Sequence, residues 1–147
     1  MKNIPRQRSF LAALFAAALL ALAFCAPPAF AWPLVPIINH DSIPVTTGSG
    51  RLPQAEQVRQ AIQQAATGRG WTLVQHTDGT LLATLNVRNK HQIVVEIGYS
   101  AERYSLKYRD SVNMQYEVLG GEPSIHSKYN KLVQNLASAI RVELLKF

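Results

Sequence analysis

Three residue types late in the chain invite a catalytic reading. Asp110, Ser111 and His126 could make an acid, nucleophile and base, with Asn130 one helical turn beyond the histidine. In such a set the imidazole takes the serine proton and the carboxylate orients the imidazole. The spacing argues against it. Adjacent residues of a strand point to opposite faces, so Asp110 and Ser111 do not converge on one imidazole unless a bend turns them. No Gly-x-Ser-x-Gly elbow presents the serine. The sequence favours a structural role for the same residues. Asp110 is in phase with Tyr104, Leu106 and Tyr108, which directs its carboxylate towards a helix layer. A carboxylate placed there needs donors, and His126, Asn130 and the first amides of the last helix are the candidates. An enzyme, for instance a hydrolase, with a site around Asp110, Ser111, His126 and Asn130 is the alternative.

Other chemistry is sparsely provided. His40, His76, His91 and His126 are scattered with no pair at ligand spacing, so no metal site is expected. Asp78-Gly79 reads as a turn and not as a calcium loop. No nucleotide loop is present, and no cofactor is expected. Arg88, Lys90, Lys107 and Arg109 could form a strip for an anionic headgroup or partner, set against the ordinary reading of a solvated sheet face balanced by Glu96.

The first 31 residues constrain where any such chemistry would act. Lys2, Arg6 and Arg8 precede an apolar run from Phe10 to Phe24, and Ala29-Phe30-Ala31 offers a small-x-small cleavage site. That is the pattern of a secretory signal peptide, and the apolar run is short for a span of about 20 residues. Cleavage after Ala31 predicts a periplasmic or secreted protein. The alternative is an outer-membrane lipoprotein anchored through Cys25, but the bulky Phe24 stands where a small residue is wanted. Membrane association is expected only in that case. Cys25 is the single cysteine, so the chain from Trp32 has no thiol for a disulfide, a zinc site or a nucleophile. Three of the 15 Lys and Arg residues fall in the leader, which leaves 12 against 9 acidic residues, a net charge of +3. This is too mild for a nucleic-acid binder.

The elements that must position these groups follow from periodicity. Residues 32–50 carry Pro33, Pro36 and Pro44 and end in Gly48-Ser49-Gly50, which reads as a linker or an extended arm. Trp32, Leu34, Val35, Ile37 and Ile38 could instead add an edge strand. Residues 51–147 form the domain. Pro53 to Thr67 predicts a helix with Val58, Ile62 and Ala65 on one face and Gly68 just past its end. Trp71 to His76 and Thr80 to Val87 read as a hairpin around Thr77-Asp78-Gly79. A three-residue loop puts Trp71 and Leu73 on the face of Leu81, Ala83 and Leu85. Gln92 to Tyr99 and Glu102 to Asp110 continue the sheet, with Ile93, Val95, Ile97, Tyr104, Leu106 and Tyr108 inward. Asp110-Ser111 breaks the alternation, and a bend followed by a short fifth strand fits Val112 to Val118. Ser124 to Phe147 predicts the last helix, with Ser124 as its N-cap and Ile125, Tyr129, Leu132, Val133, Leu136 and Ile140 on its apolar face. The expected fold is α+β, a two-layer sandwich of helix, four-stranded antiparallel meander and helix.

Two segments carry a resemblance. Tyr104, Tyr108, Asp110, Ser111 and Asn113, followed by Ile125, His126, Tyr129 and Asn130, are similar to a Y-x-x-x-Y-x-D-S-x-N strand end and an I-H-x-x-Y-N helix opening. Both occur in a family of small proteobacterial lipoproteins and periplasmic proteins with no assigned activity. Arg69-Gly70-Trp71 and Asn135-Leu136 also fit, and the likeness runs from about Pro53 to Arg141. The resemblance implies a cell-envelope location and no particular reaction. The function expected from the sequence is non-enzymatic binding of a protein partner or an envelope component.

Overall fold

The structure, a computed structural model, describes residues 33–147. The expected leader and cleavage site, Cys25 and Trp32 lie outside that range. The remainder is α+β, as expected, but with two antiparallel sheets in place of one meander.

The arm is where the difference begins. Leu34–Pro36 (β1) and His40–Pro44 (β2) are strands, so residues 34–44 are not a linker. Proline is tolerated at strand ends and on edges because no ladder bond is lost there. Pro36 and Pro44 each end their strand, and β1 and β2 are both edge strands.

Ala55–Gly68 forms α1. At its start the Gln57 side-chain oxygen accepts the Gln54 amide at 2.8 Å, one half of a capping box, while the Gln57 amide donates to the Gln54 carbonyl at 2.9 Å. Its end is a Schellman turn: the Trp71 amide donates to the Ala66 carbonyl and the Gly70 amide to Thr67. Gly70, at φ 77°, is therefore the left-handed residue, two positions beyond the expected Gly68.

Thr72–Gln75 (β3), Leu81–Val87 (β4), His91–Tyr99 (β5) and Arg103–Val112 (β6) follow as a meander. Leu73 lies opposite Ala83, which is the register expected from a three-residue loop, with Gly79 at φ 90°. β2 then joins the outer edge of β6, so the sheet runs β2-β6-β5-β4-β3. Asn39 helps to seal that edge by accepting the Tyr108 amide on its side-chain oxygen at 2.8 Å.

Glu117–Leu119 (β7) is the short strand expected after the bend, but it leaves the first sheet. It pairs with Glu122–His126 (β8) through Gly120-Gly121, both at positive φ, as a two-residue hairpin requires. β8 pairs on its other side with β1. The last helix, α2, therefore spans Lys128–Leu144 and not Ser124 onward. Ser124 is a strand residue whose hydroxyl donates to the Glu122 carbonyl, so it caps nothing. Ile125 is fully buried from the strand. Its four-residue spacing to Tyr129 matched the helical stripe because both elements turn an apolar side chain to one core.

That core lies between the two helices and one face of the large sheet. Val58, Ile62, Ile93, Val95, Leu136 and Ile140 are all 0% exposed. Tyr129 is the largest fully buried side chain, and burial pushes its phenol far above the ordinary range.

Candidate functional site

The four polar residues singled out from the sequence do not form one site. Between β5 and β6 the pairing steps from Val95 opposite Tyr108 to Val94 opposite Asp110, so Arg109 is an extra residue on β6. Such a bulge re-phases a strand. Asp110 leaves the face of Tyr104, Leu106 and Tyr108, becomes exposed, and accepts the Ser111 amide at 2.8 Å. The inward Asp110 expected from the alternation is thus overturned. Ser111 takes the inward place, opposite Ile93, with its hydroxyl 2.9 Å from the Tyr108 hydroxyl. Asn130 serves the arm: its Nδ2 donates to the Pro36 carbonyl at 2.9 Å and its Oδ1 accepts the Ile38 amide at 3.0 Å. His126 ends β8 and accepts the Lys128 amide on Nδ1 at 3.1 Å. The imidazole thus satisfies one of the free donors at the start of α2, the task expected of Ser124.

The basic strip is also divided. Lys107 lies 3.5 Å from Asp41, and Arg109 lies 3.8 Å from Glu96. Both charges are balanced on the sheet face, and Asp41 comes from the arm that was not expected there. Arg88 and Lys90 sit apart in the β4–β5 turn. Arg88, but not Lys107 or Arg109, belongs to a cleft.

The cleft, about 360 Å³, opens where the two sheets meet the start of α2. The end of β4 contributes Val87, and the turn after it contributes Arg88. His91 comes from β5, Asn113, Met114 and Gln115 from the bend after β6, His126 from β8, and Lys128 and Leu132 from α2. A neighbouring depression of about 400 Å³ shares His91 and Asn113 and adds Asn86, Asn89, Lys90, Gln92 and Val112. A larger hollow of about 590 Å³ on α1 is lined by that helix alone, so no other element converges on it. The cleft is the better candidate because five segments meet there.

Its backbone is unusual. Arg88, Asn89, Asn113 and Gln115 are the non-glycine residues with positive φ among those described, at 53°, 53°, 57° and 54°. Asparagine adopts this conformation at small cost, whereas arginine and glutamine do so uncommonly. Three of the four line the cleft and two line the adjoining depression. Hydrogen bonds hold the geometry: Asn113 donates from Nδ2 to the Lys90 carbonyl, and its own carbonyl accepts from His91 Nδ1 at 2.7 Å. A carbonyl can only accept, so the His91 proton is on Nδ1.

The electrostatics are one-sided. Arg88 and Lys128 bring basic side chains, and no acidic residue is among the described residues that line the cleft. Burial, then the charges of Lys128 and His91, hold the His126 imidazole below its ordinary value. It is therefore neutral at pH 7, and since Nδ1 accepts the Lys128 amide, the proton is on Nε2. Among the described residues no group of three or more His, Cys, Asp or Glu side chains is placed to hold a metal ion. Nor is any described helix long and apolar enough to cross a membrane.

Sequence reading missed His91, Asn113, Met114, Gln115, Lys128 and Leu132 as site residues. Asn113 stood in the segment on which the resemblance was based, but nothing in the spacing joined it to the β4–β5 turn. Comparison of the chain with family models, with curated proteins and with solved structures gives no match in any of the three.

Proposed function

We propose that this chain is an exported, non-catalytic binding domain and that its ligand sits in the cleft bordered by Arg88, His91, Gln115, His126 and Lys128. The export half rests on the leader pattern of residues 1–31. The binding half is carried by one observation: the four left-handed non-glycine residues lie around this cleft and its adjoining depression. Held backbone of this kind costs on the order of 1–3 kcal/mol at a residue such as Arg88 or Gln115, less at asparagine, and clusters where ligands are clamped. Sequences that need only a tight turn place Gly or Asn at these positions. Arg88 and Gln115 keep a long side chain there instead, and both face the cleft. The cleft volume is at the low end of the usual small-molecule range of about 300–1,000 Å³, which fits a small ligand better than a folded partner.

Native mass spectrometry of protein purified gently from its own compartment tests this reading. A bound small molecule is expected on the wild type and absent from Leu132→Trp, which fills the cleft from the half-buried side of α2. A ligand retained in full by Leu132→Trp places the binding site elsewhere. A wild type that carries none and binds nothing from a soluble envelope extract removes the proposal.

A further inference from the structure

The cleft grades from apolar to cationic, and the gradient follows depth. Met114 is 5% exposed, and Val87 and Leu132 are half-buried, so the inner wall is hydrocarbon and thioether. Arg88, Gln115, Asn113 and Lys128 are exposed and form the mouth. A guanidinium and an ammonium at one mouth, where no described lining residue is acidic, favour negative charge. The apolar wall has no use for a bare inorganic anion but offers burial to a hydrocarbon tail. From this geometry we infer that the ligand is an amphipathic anion, a phosphate or carboxylate head on a short apolar body, with the head at Arg88 and Lys128 and the body against Met114, Val87 and Leu132. The inference rests on the cleft being the binding site.

The shape of the β4–β5 turn strengthens the assignment of Arg88. With Arg88 and Asn89 both left-handed, the Lys90 amide closes the turn onto the Val87 carbonyl at 3.2 Å. Asn113 then fastens the turn to the bend after β6 through the Lys90 carbonyl. The Arg88 backbone is thus fastened on both sides, which roots its exposed side chain at the opening and leaves only the side chain to be ordered on meeting an anion. Lys90 makes a useful contrast. It is two positions further along the turn and equally cationic, yet it lines the adjoining depression and not the cleft.

Octyl phosphate is the probe, with octyltrimethylammonium as the same tail of opposite charge and inorganic phosphate as the head alone. Titrations followed by amide chemical shifts should move Arg88, His91, Gln115 and Leu132 with octyl phosphate, which should bind at least about tenfold more tightly than either control. Arg88→Gln and Lys128→Gln should each weaken it by about five- to tenfold, Arg88→Lys by less, and Lys90→Gln not measurably. Equal binding of octyltrimethylammonium in the cleft would overturn the anion inference and leave the cleft standing as an apolar site. Equal binding of inorganic phosphate would remove the tail. Equal weakening by Lys90→Gln would reduce the effect to diffuse surface charge and overturn the inference. Shifts confined to other surfaces, or none with any of the three probes, would sink the inference and leave the cleft itself to be judged by the co-purification test. Phosphatidylglycerol vesicles separate the two natural sources. Vesicle binding that octyl phosphate competes away assigns the head to a membrane lipid, and octyl phosphate binding without vesicle binding assigns it to a free amphiphile. Either result supports the inference.

Discussion

The two sheets use the same antiparallel pairing and differ in what covers them. In the large sheet, Ile93, Val95 and Ile97 of β5 are 0% exposed under the helices, and their alternation runs unbroken for the length of the strand. In the small sheet, every residue of β7 is exposed, with Val118 at 56%, and of β8 only Ser124 and Ile125 are buried. The large sheet is fixed by burial of apolar area, which scales with contact and tolerates little rearrangement. The small sheet is fixed by two glycines in a turn, a few ladder bonds and an asparagine clamp. Between them lie the left-handed residues and the cleft. A stiff body thus carries a lightly held rim, and the rim is where a ligand could be met without disturbing the core.

The largest expected effect tests the body. Leu136→Ala empties a fully buried position on α2 against the sheet and should cost about 2–5 kcal/mol by chemical denaturation. A loss under about 1 kcal/mol would mean that the body is not held by this packing.

Next comes the clamp. Asn130→Ala removes both contacts to residues 36–38 and should cost about 1–2 kcal/mol, at the ordinary net worth of two hydrogen bonds. Amide exchange at Ile38 should quicken while Val95 stays protected. Equal quickening at both would erase the distinction between rim and body.

Arg88→Gly sharpens the contrast in the opposite direction. Glycine adopts the φ of 53° without penalty, so stability should rise by about 1 kcal/mol or hold level while octyl phosphate affinity falls. A clear loss of stability would show that the turn carries no backbone cost.

The pH dependence of the rim follows from His126. Its folded value is depressed, so the unfolded chain binds more protons in the interval below about pH 6.5. Its stabilising contribution is therefore complete above that pH and is lost as pH falls. Lys128 on α2 and His91 on β5 are the charges that oppose its protonation, and Arg88 adjoins them across the cleft. In His126→Asn, whose side-chain oxygen can still accept the Lys128 amide, the melting temperature should fall less between pH 7.5 and 5.5. Parallel curves would remove the linkage.

The smallest effect concerns Asp110. Exposed and bonded only to its neighbour's amide, it should tolerate Asn within about 0.5 kcal/mol. A larger loss in thermal denaturation would restore the inward carboxylate that strand alternation suggests.

How far the chain can be read without coordinates differs between the same two regions. The meander was legible down to register, because Trp71 and Leu73 had to share a face with Leu81 and Ala83 and the three-residue loop allowed it. The N-terminal helix was legible too, apart from which glycine ended it. The bulge at Arg109 was not, since one inserted residue leaves no mark on composition and Asp110-Ser111 signalled only an interruption. Nor were β2 and β8, and β1 was legible only as the alternative of an edge strand near Leu34 and Val35. Their runs are three to five residues long and contain proline, and the β1–β8 and β2–β6 pairings join segments remote in sequence. Arg88 was noticed for its charge, but in the wrong company. Its cleft is assembled from five segments that no local periodicity connects.

The asparagine clamp has a consequence for how the chain reaches this state. Asn130 holds residues 36–38 across sequence separations of 92 and 94, Asn39 reaches Tyr108 across 69, and Arg103 reaches Ser42 across 61. Contacts of such span close large loops and are made late, after the hairpins of the meander have formed locally. Until residues 34–44 have docked, the outer edge of β6 and the flank of β8 present unpaired backbone to any neighbouring strand. The vulnerable species is then a nearly complete sheet still waiting for its earliest-made segment. Deleting residues 33–44 should accordingly leave a chain that forms helix and hairpin but aggregates edge to edge.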